Sequence, residues 1–412
     1  MHVHAWWTNV DDTGRRHHTC LPDDAFFGAG AELQLGVGMP SLNLLVVRNG
    51  QNPQDMAKIA KHKGWVTDRQ RDRSTNTVIF KPLIDSFVKV RSPYPQSNIV
   101  ATWDPVSKVR RFAGGGIIRD GSDNWPMTWA DDNHLYIAYG DGNGFAPYIP
   151  NKLGMGFARI EGTADRFEAV NIRSNVENTS FGPNDRKGSG MLSVDGTLYL
   201  LARNDNKKGR HSRIGWSNDR ARTFEWCRWD FKELGHPTFI NYGRDYAGAR
   251  DRYVYVWNKD HPSAYEASDH FVLARVTKDQ IRERDAYEFY VRTRSGKPVW
   301  SSDIQKRGPV FKFPGTCIRS SVSYNAGLKR YFMWMNLRQA GGEDTRFQGG
   351  FGVYESRHAW GPWGTVYFTD RWDIGPGELG CFRTKWMSKD GRTMYLVCSS
   401  DDQFTIRRVR LT

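Results

Sequence analysis

One short phrase occurs five times in the 412 residues of this chain: a turn of small or acidic residues, followed by a Tyr in an apolar run. The copies are WADDNHLYIAY (129–139), LSVDGTLYLLA (192–202), ARDRYVYVW (249–257), SYNAGLKRYFMW (323–334) and MSKDGRTMYLV (387–397). Their tyrosines are 63, 56, 76 and 64 residues apart. Self-similarity at such a long period is the sequence signature of a repeat architecture.

Each copy predicts a β-hairpin, because Asp-Gly or an equivalent turn separates two runs rich in β-branched and aromatic residues. A single hairpin cannot bury a face alone, so a repeat of about 60 residues favours a four-stranded blade. Five such blades predict an all-β fold, a five-bladed β-propeller over residues 92–412. The last copy offers only three clear strands, and NIVATW (98–103) is the predicted fourth. This pairing of N- and C-terminal strands would close the ring and remove its exposed edges.

Residues 1–91 lack the phrase and are predicted to form an N-terminal extension, appended or poorly ordered. Lys and Arg outnumber Asp and Glu by 59 to 45, and most of the net charge of +14 follows residue 100. This excess favours anionic partners, although it also suits a solvated surface.

No apolar run reaches the length of about 18 residues needed to span a bilayer, and no signal peptide is visible. The five Cys lack metal-site spacing, which favours buried thiols, and no cofactor or metal is predicted.

The segment GWSNDRARTFEW (215–226) resembles the Asp-box of sialidase-type propellers. The matching residues, within 217–224, are Ser217, Asp219, Thr223 and Phe224, while Ala221 stands where Gly is usual. The resemblance implies a hairpin at the blade rim. Because Ser and Asp oxygens accept backbone N–H groups of turns, we assign Asp219 a structural role.

Aligned on their turns without gaps, the copies place Arg244, Arg319 and Arg383 at the same position of three inner strands. Lys385 follows two residues later in the fifth copy, and Lys187 precedes the second. Guanidinium groups that converge on one mouth of the ring repel each other unless an anion or carboxylates lie among them. The alignment therefore predicts either binding of an anionic substrate or ion pairs between blades.

Three carboxylates lie near the same predicted mouth: Asp123, Asp245 and Glu378. Hydrolysis of a glycosidic bond usually needs two, one protonated and one ionised. Blades one and five are neighbours in a closed ring, so Asp123 is predicted as the base and Glu378 as the acid. Asp245, a third candidate, is expected to pair with Arg244. Asn124 is a further predicted substrate contact, as are Trp125 and Tyr324, for which core packing is the alternative.

DNWPMTWADDNHLYIAYGDGNGF (123–145), SYNAGLKRYF (323–332), HAWGPWGTVYF (358–368) and KWMSKDG (385–391) resemble segments of one domain-of-unknown-function family. That family includes the mycobacterial endo-D-arabinanases, and the resemblance covers about residues 92–412. It implies a propeller that acts on polysaccharide, usually in secreted or cell-envelope proteins.

The leading hypothesis is therefore a glycoside hydrolase that cleaves a polysaccharide or oligosaccharide at this mouth of the ring, with an anionic substrate as the option that the Arg residues suggest. A polysaccharide lyase is the second hypothesis, in which Arg neutralises a uronate and a His or Tyr removes a proton. No His occupies an aligned inner position, so His211 or His236 would have to arrive from loops. A non-catalytic sugar-binding propeller is the third. Nucleic-acid binding is disfavoured, because KKGRHSR (207–213) is the only basic run of the kind it requires.

Overall fold

The computed structural model of the protein describes residues 2–3, 6–10, 12, 21–29, 35–48, 91–112, 121–338 and 349–412. These residues fall into two compact units, one ending at Arg91 and one comprising Ser92–Arg338 and 349–412. Strands and short 3-10 segments are the regular elements of the described residues. None of the helical segments among them has the length and apolar character that crossing a membrane requires.

The first unit contains an antiparallel meander in which each strand pairs with the next along the chain. Its strands are β1 (His2–Val3), β2 (Trp6–Thr8), β3 (Phe26–Ala29), β4 (Leu35–Met39) and β5 (Leu44–Arg48). Leu21, Ala25, Val37 and Met39 form its buried core. Much of the predicted extension, including residues 49–90, lies outside the described residues.

The second unit consists of five antiparallel sheets in which the described strands follow one another along the chain. The N-terminal strands are β6 (Ala101–Trp103) and β7 (Arg110–Phe112). Blade one has β8 (Met127–Trp129), β9 (Leu135–Gly142), β10 (Leu153–Gly162) and β11 (Phe167–Ile172). Blade two has β12 (Lys187–Val194), β13 (Thr197–Arg203), β14 (Ser212–Ser217) and β15 (Glu225–Trp226). Blade three has β16 (Thr238–Phe239), β17 (Tyr253–Lys259), β18 (Ser268–Thr277), β19 (Glu288–Arg294), β20 (Lys297–Ser301) and β21 (Phe311–Cys317). Blade four has β22 (Ser320–Asn325), β23 (Arg330–Asn336), β24 (Phe351–Ser356) and β25 (Gly364–Thr369). Blade five has β26 (Gly380–Phe382), β27 (Thr393–Cys398) and β28 (Phe404–Leu411), completed by β6 and β7.

Hydrogen bonds between first strands join the sheets into a ring. Ser189 Oγ donates to the carbonyl before β16 at 2.6 Å, and Ser321 Oγ donates to the Gly380 carbonyl at 2.6 Å. Arg383, at the end of β26, donates to the carbonyls of Trp125 and Met127 in blade one, each at 2.9 Å. The last blade therefore contacts the first, and the predicted five-bladed propeller is confirmed.

The predicted strand closure is also confirmed. β6 pairs antiparallel with β28, with Trp103 opposite Val409 and Ala101 opposite Leu411. Asp104, directly after β6, forms ion pairs with Arg408 at 3.0 Å. The outer strand of blade five thus comes from the N-terminal end of the propeller unit.

The repeated phrase forms the first hairpin of each blade, and its Tyr lies on the second strand. In blade one the Tyr136 hydroxyl donates to Asp132 of the preceding turn at 2.6 Å. In blade three Tyr255 donates to Asp251 at 2.7 Å in the same way. In these two blades a local contact explains why the sequence places an acidic turn residue four positions before the Tyr.

Residues 217–224 connect the third and fourth strands of blade two. Asp219 accepts hydrogen bonds from the amide of Thr223 at 2.8 Å and from its hydroxyl at 2.6 Å. Ser217 Oγ accepts from the Ala221 amide at 2.9 Å, and Phe224 stacks on Phe157 of blade one. These contacts give the segment a structural role at the rim.

Four of the five Cys lie within the described residues, and all four are free and buried: Cys227, Cys317, Cys381 and Cys398.

Candidate active site

The blade topology collects polar residues at one end of the ring axis. The first strand of each blade begins at this end, and the second strand ends there. This end therefore holds the residues just before each first strand and the last residues of each second strand. We call this end the upper mouth. The turns between first and second strands lie at the opposite end, the lower mouth. Any site built from several blades must draw its residues from one of these two sets.

At the upper mouth Asn124 connects the two carboxylates that the sequence places in neighbouring blades. Its Nδ2 lies 2.5 Å from Oδ1 of Asp123 and 3.1 Å from Oε2 of Glu378. Since both oxygens lie within hydrogen-bonding distance of one nitrogen, they are within about 6 Å of each other. The structure thus brings Asp123 and Glu378 together across the junction of blades one and five.

Arg319 lies beneath this pair with a fully buried side chain. Its Nη1 donates to Oδ1 of Asn124 at 2.8 Å and forms an ion pair with Glu378, whose side chain is 19% exposed. A carboxyl group that pairs with a guanidinium in this way is a carboxylate. Glu378 therefore suits the role of base or nucleophile, and the contact disagrees with its expected role as proton donor.

Asp402 is a further carboxyl group at the upper mouth. It ends the 3-10 segment Ser400–Asp402 after β27, and its carbonyl packs so closely on Gly121 that no Cβ would fit there. Although Asp402 keeps solvent access, desolvation of its carboxyl raises its pKa, and the negative charges of Asp123 and Asp141 raise it further. A carboxyl whose pKa is raised in this way is suited to act as a general acid.

The opposite side of the upper mouth is basic. Lys187, at the start of β12, is buried and forms an ion pair with Asp141, at the end of β9. Arg203 and Lys259 end the second strands of blades two and three, and both are buried. His236 precedes β16 and is 3% exposed. The mouth therefore has acidic groups in blades one and five and cationic groups in blades two to four.

The gapless alignment misplaces Arg244, Asp245 and Lys385, which the structure puts at the lower mouth. Asp245 accepts a hydrogen bond from Ser193 Oγ at 2.6 Å and others from Gly196, in the turn after β12. Arg244 donates to the carbonyl of Asp131, and Lys385 to that of Asn133, in the turn between β8 and β9. The expected pairing of Asp245 with Arg244 is replaced by these turn contacts.

The physical reason is a difference in length before the turn. β16 and β26 are short, and each is followed by a 3-10 segment, Arg244–Tyr246 and Thr384–Trp386 respectively. In blades two and four, the strands β12 and β22 run through the corresponding positions. The alignment therefore equated lower-mouth residues with the upper-mouth residue Arg319.

Three other predicted substrate contacts are buried in the propeller. Trp125 is 0% exposed and packs against Tyr139, Phe145 and Phe404. Tyr324 packs against Tyr242 and Tyr331 near the lower mouth. Arg383 donates to blade-one carbonyls, and burial lowers its pKa to about 9, which leaves it charged at neutral pH. For all three, packing replaces the predicted contact with sugar.

Sequence reasoning missed Asp402, Arg203 and Lys259 because it searched the starts of first strands only. Arg203 and Lys259 are the last residues of second strands, in the apolar runs YLLAR and YVYVWNK, and Asp402 lies four residues after the corresponding run YLVC. The last residues of those runs were the available signal, because an antiparallel second strand ends at the mouth where the first began. Among the described residues, no His, Cys, Asp and Glu side chains are grouped as metal ligands.

No family model matches this sequence, and no curated protein matches it. Among solved structures, the chain is similar to a GH43_1 enzyme from Xanthomonas citri, with 11% identity, 76% of this chain and 90% of that chain covered, and a TM-score of 0.42. The RS223 β-xylosidase gives 11% identity, 74% and 95% coverage and a TM-score of 0.43. The catalytic domain of the Coprinopsis cinerea GH62 α-L-arabinofuranosidase gives 9%, 74% and 98%, and 0.40. Similarities this weak assign neither a family nor a substrate to this chain.

Proposed function

We propose that this protein is a glycoside hydrolase that cleaves a polysaccharide or oligosaccharide at the upper mouth. The observation that carries the proposal is a pair of carboxyl groups there whose surroundings favour opposite protonation states. Glu378 is ion-paired with Arg319, whereas the pKa of Asp402 is raised by desolvation and by neighbouring negative charges. A pair of carboxyl groups pushed toward opposite protonation states is what acid–base cleavage of a glycosidic bond requires.

In this mechanism Asp402 donates its proton to the leaving oxygen of the glycosidic bond. Glu378 is the ionised partner, acting as base toward water or as nucleophile toward the anomeric carbon. Asp123 favours protonation of Asp402, because its negative charge raises the pKa of that carboxyl. Asn124 fixes Asp123 and Glu378 through the two hydrogen bonds of its amide nitrogen. The resemblance to arabinan-cleaving propellers and the sialidase-type turn at 217–224 support a carbohydrate-active propeller.

The test is an assay for new reducing ends on a panel of neutral, uronic and sulfated polysaccharides. Glu378→Gln and Asp402→Asn should each lower kcat at least about 100-fold, since positioned acid–base groups contribute that much. Asp123→Asn should act through Asp402 and lower kcat less. The matched comparison is Asp245→Asn, the same type of change at the lower mouth, which should keep near-normal kcat. Loss of activity in Asp245→Asn with normal rates in Glu378→Gln would move the reaction to the other end of the ring.

A polysaccharide lyase is the second candidate, and one observation favours it. Burial and the positive charges of Arg319, Arg203 and Lys259 lower the pKa of His236 well below its usual value, which leaves a neutral imidazole at the upper mouth. A neutral His beside cations is the combination that proton abstraction next to a uronate needs. The same assay separates the two, since a lyase creates an unsaturated product that absorbs ultraviolet light. Binding without either product would indicate a sugar-binding propeller.

A further inference from the structure

Four buried side chains line the basic side of the upper mouth: Arg203, His236, Lys259 and Arg319. Their exposed fractions are between 1% and 3%. They come from blades two to four, and Arg203, Lys259 and Arg319 all act electrostatically on His236. The carbonyl of Pro237, next to His236, accepts from Ser189 of blade two, and the His236 amide donates to Asn258, next to Lys259, at 3.0 Å. We call these four residues the cationic layer.

Two members of the cationic layer have polar atoms without hydrogen-bond partners. Within the described residues, neither Nε nor Nη1 of Arg203 has a partner, and the same is true of both ring nitrogens of His236. The described part of the chain shows no ion pair for Arg203, whose guanidinium lies 5.8 Å from the ring centre of Tyr265. A buried charge or polar group without a partner costs folding free energy, and native proteins seldom keep one without a reason.

The positive charges of the layer act on one another. Arg319, Arg203 and Lys259 all lower the pKa of His236, after the larger effect of burial. Lys259 donates to the Glu266 carbonyl at 2.6 Å. Glu378 forms an ion pair with Arg319 at the border with the acidic side. The layer thus gathers several cationic side chains that are close enough to act on His236.

We propose that the cationic layer is a subsite for an oxyanion group of the glycan, a carboxylate or a sulfate ester on the sugar next to the scissile bond. Arg203 and His236 supply free N–H donors, and a guanidinium binds planar or tetrahedral oxyanions through paired hydrogen bonds. Arg319 belongs both to this layer and to the contact with Glu378, so the bound group lies beside the reacting carboxyls. This proposal rests on the proposed function and narrows its substrate to acidic glycans.

The alternative is that the four residues only stabilise the packing of blades two to four. The two possibilities predict opposite effects of Arg203→Gln on the protein without ligand. If Arg203 serves packing, the substitution lowers the melting temperature. If it is kept for an oxyanion, removing a buried charge without a counter-ion leaves the melting temperature unchanged or raises it.

The deciding experiment measures binding calorimetrically in the full-length Asp402→Asn variant, which turns over too slowly to consume its ligand. Three oligosaccharides of equal length are compared: neutral, uronic and sulfated. We expect one or both acidic ligands to bind at least about 10-fold more tightly than the neutral one, since a charge-assisted hydrogen bond contributes that much. Adding Arg203→Gln should abolish this preference and leave the affinity for the neutral ligand unchanged. A double variant with Arg203→Lys in place of Arg203→Gln should retain part of the preference for acidic ligands.

The control is Arg166→Gln, which removes one positive charge from an exposed turn of blade one and should leave the preference intact. Equal affinities for neutral and acidic ligands would overturn the subsite, as would a preference that survives Arg203→Gln. Failure of the proposed function has a different signature. Tight, Arg203-dependent binding of acidic ligands by a wild-type protein that cleaves none of them would leave the subsite and remove the hydrolase. Cleavage of neutral glycans without a preference for acidic ones would support the hydrolase and overturn the subsite.

Discussion

Individual residues of the upper mouth have backbone conformations that L-amino acids rarely adopt. Asn124, Trp125, Asp141 and Asp402 have φ angles of 65°, 57°, 48° and 56°. Asn and Asp tolerate this left-handed region better than most residues, whereas Trp does so at a cost of about 1–2 kcal/mol. Strain of this kind concentrates at functional sites, where it is maintained by the surrounding packing. At 123–125 it turns Asp123 and Asn124 into the mouth and Trp125 into the core.

The raised pKa of Asp402 predicts a specific pH profile. A general acid must be protonated, so kcat should fall as the pH rises through the pKa of Asp402, and Asp402→Asn should abolish this alkaline decline. The loss in kcat should be small for aryl glycosides with a good leaving group, which needs little protonation, and large for a natural glycan. An equal loss for both substrates would exclude Asp402 as the acid.

Asp402→Asn, which should lower kcat, should increase the stability of the fold. An Asp whose pKa is raised by folding destabilises the native state above its folded pKa, where it is ionised, and has no effect below about pH 3.9, where it is protonated in both states. Asp402→Asn should therefore raise the melting temperature at pH 7. The gain should vanish as the pH is lowered, which thermal unfolding at several pH values would show.

At the level of elements, the sequence predicted the position of each hairpin from its turn residues. It did not predict which residues of different blades occupy equivalent positions. The acidic turn and the Tyr of each hairpin lie within a few residues of each other, so each copy of the phrase located its hairpin. The position of the mouth depends instead on how many residues separate a first strand from its turn. That number changes in blades three and five, where Arg244–Tyr246 and Thr384–Trp386 form 3-10 segments. A gapless comparison therefore found Asp123, Glu378 and Arg319 but also selected Arg244, Asp245 and Lys385.

The turn at 217–224 offers a test of an element that lies far from the proposed chemistry. Slight burial raises the pKa of Asp219, but hydrogen bonds from Thr223 and Ser217 outweigh it and lower the pKa overall. The ionised Asp219 therefore stabilises the folded protein above about pH 3.9, and this contribution is lost as the pH falls through the lowered pKa of Asp219. Asp219→Ala should reduce the free energy of unfolding by about 1 kcal/mol at pH 7. Denaturant titration would measure this, and kcat should remain normal; a large loss of kcat would show that this rim takes part in catalysis.

At the scale of the whole molecule, strand closure places the acidic side of the mouth at the seam of the ring. Blade five, which carries Glu378 and Asp402, is completed by β6, and Asp123 comes from the adjacent blade one. The cationic layer belongs to blades two to four, which are continuous in the chain. The sequence predicted the seam because NIVATW was the strand that the last copy lacked. It did not show the division into acidic and basic sides, which depends on contacts between blades.

Trp103 of β6 packs the closing strand of blade five against blade four. Its ring lies 5.7 Å from Phe351, 5.4 Å from Tyr367 and 6.4 Å from Phe382, measured between ring centres. Trp103→Ala should destabilise the propeller by about 2–4 kcal/mol, because it removes a large aromatic group from this cluster. Val100→Ala, at a neighbouring position that is 53% exposed, is the control and should change little.

Phe351 and Tyr367 belong to blade four and Phe382 to blade five, so the loss of Trp103 should loosen the junction of these two blades. Below the unfolding temperature, Trp103→Ala should lower kcat, because the ion pair of Glu378 with Arg319 crosses that junction. The preference for acidic over neutral oligosaccharides should persist, because Arg203 and His236, which supply the free donors, lie in blades two and three. Steady-state kinetics and calorimetry on the same preparation would measure both. Parallel loss of kcat and of the acidic preference would show that the two sides of the mouth depend on the ring as a single unit.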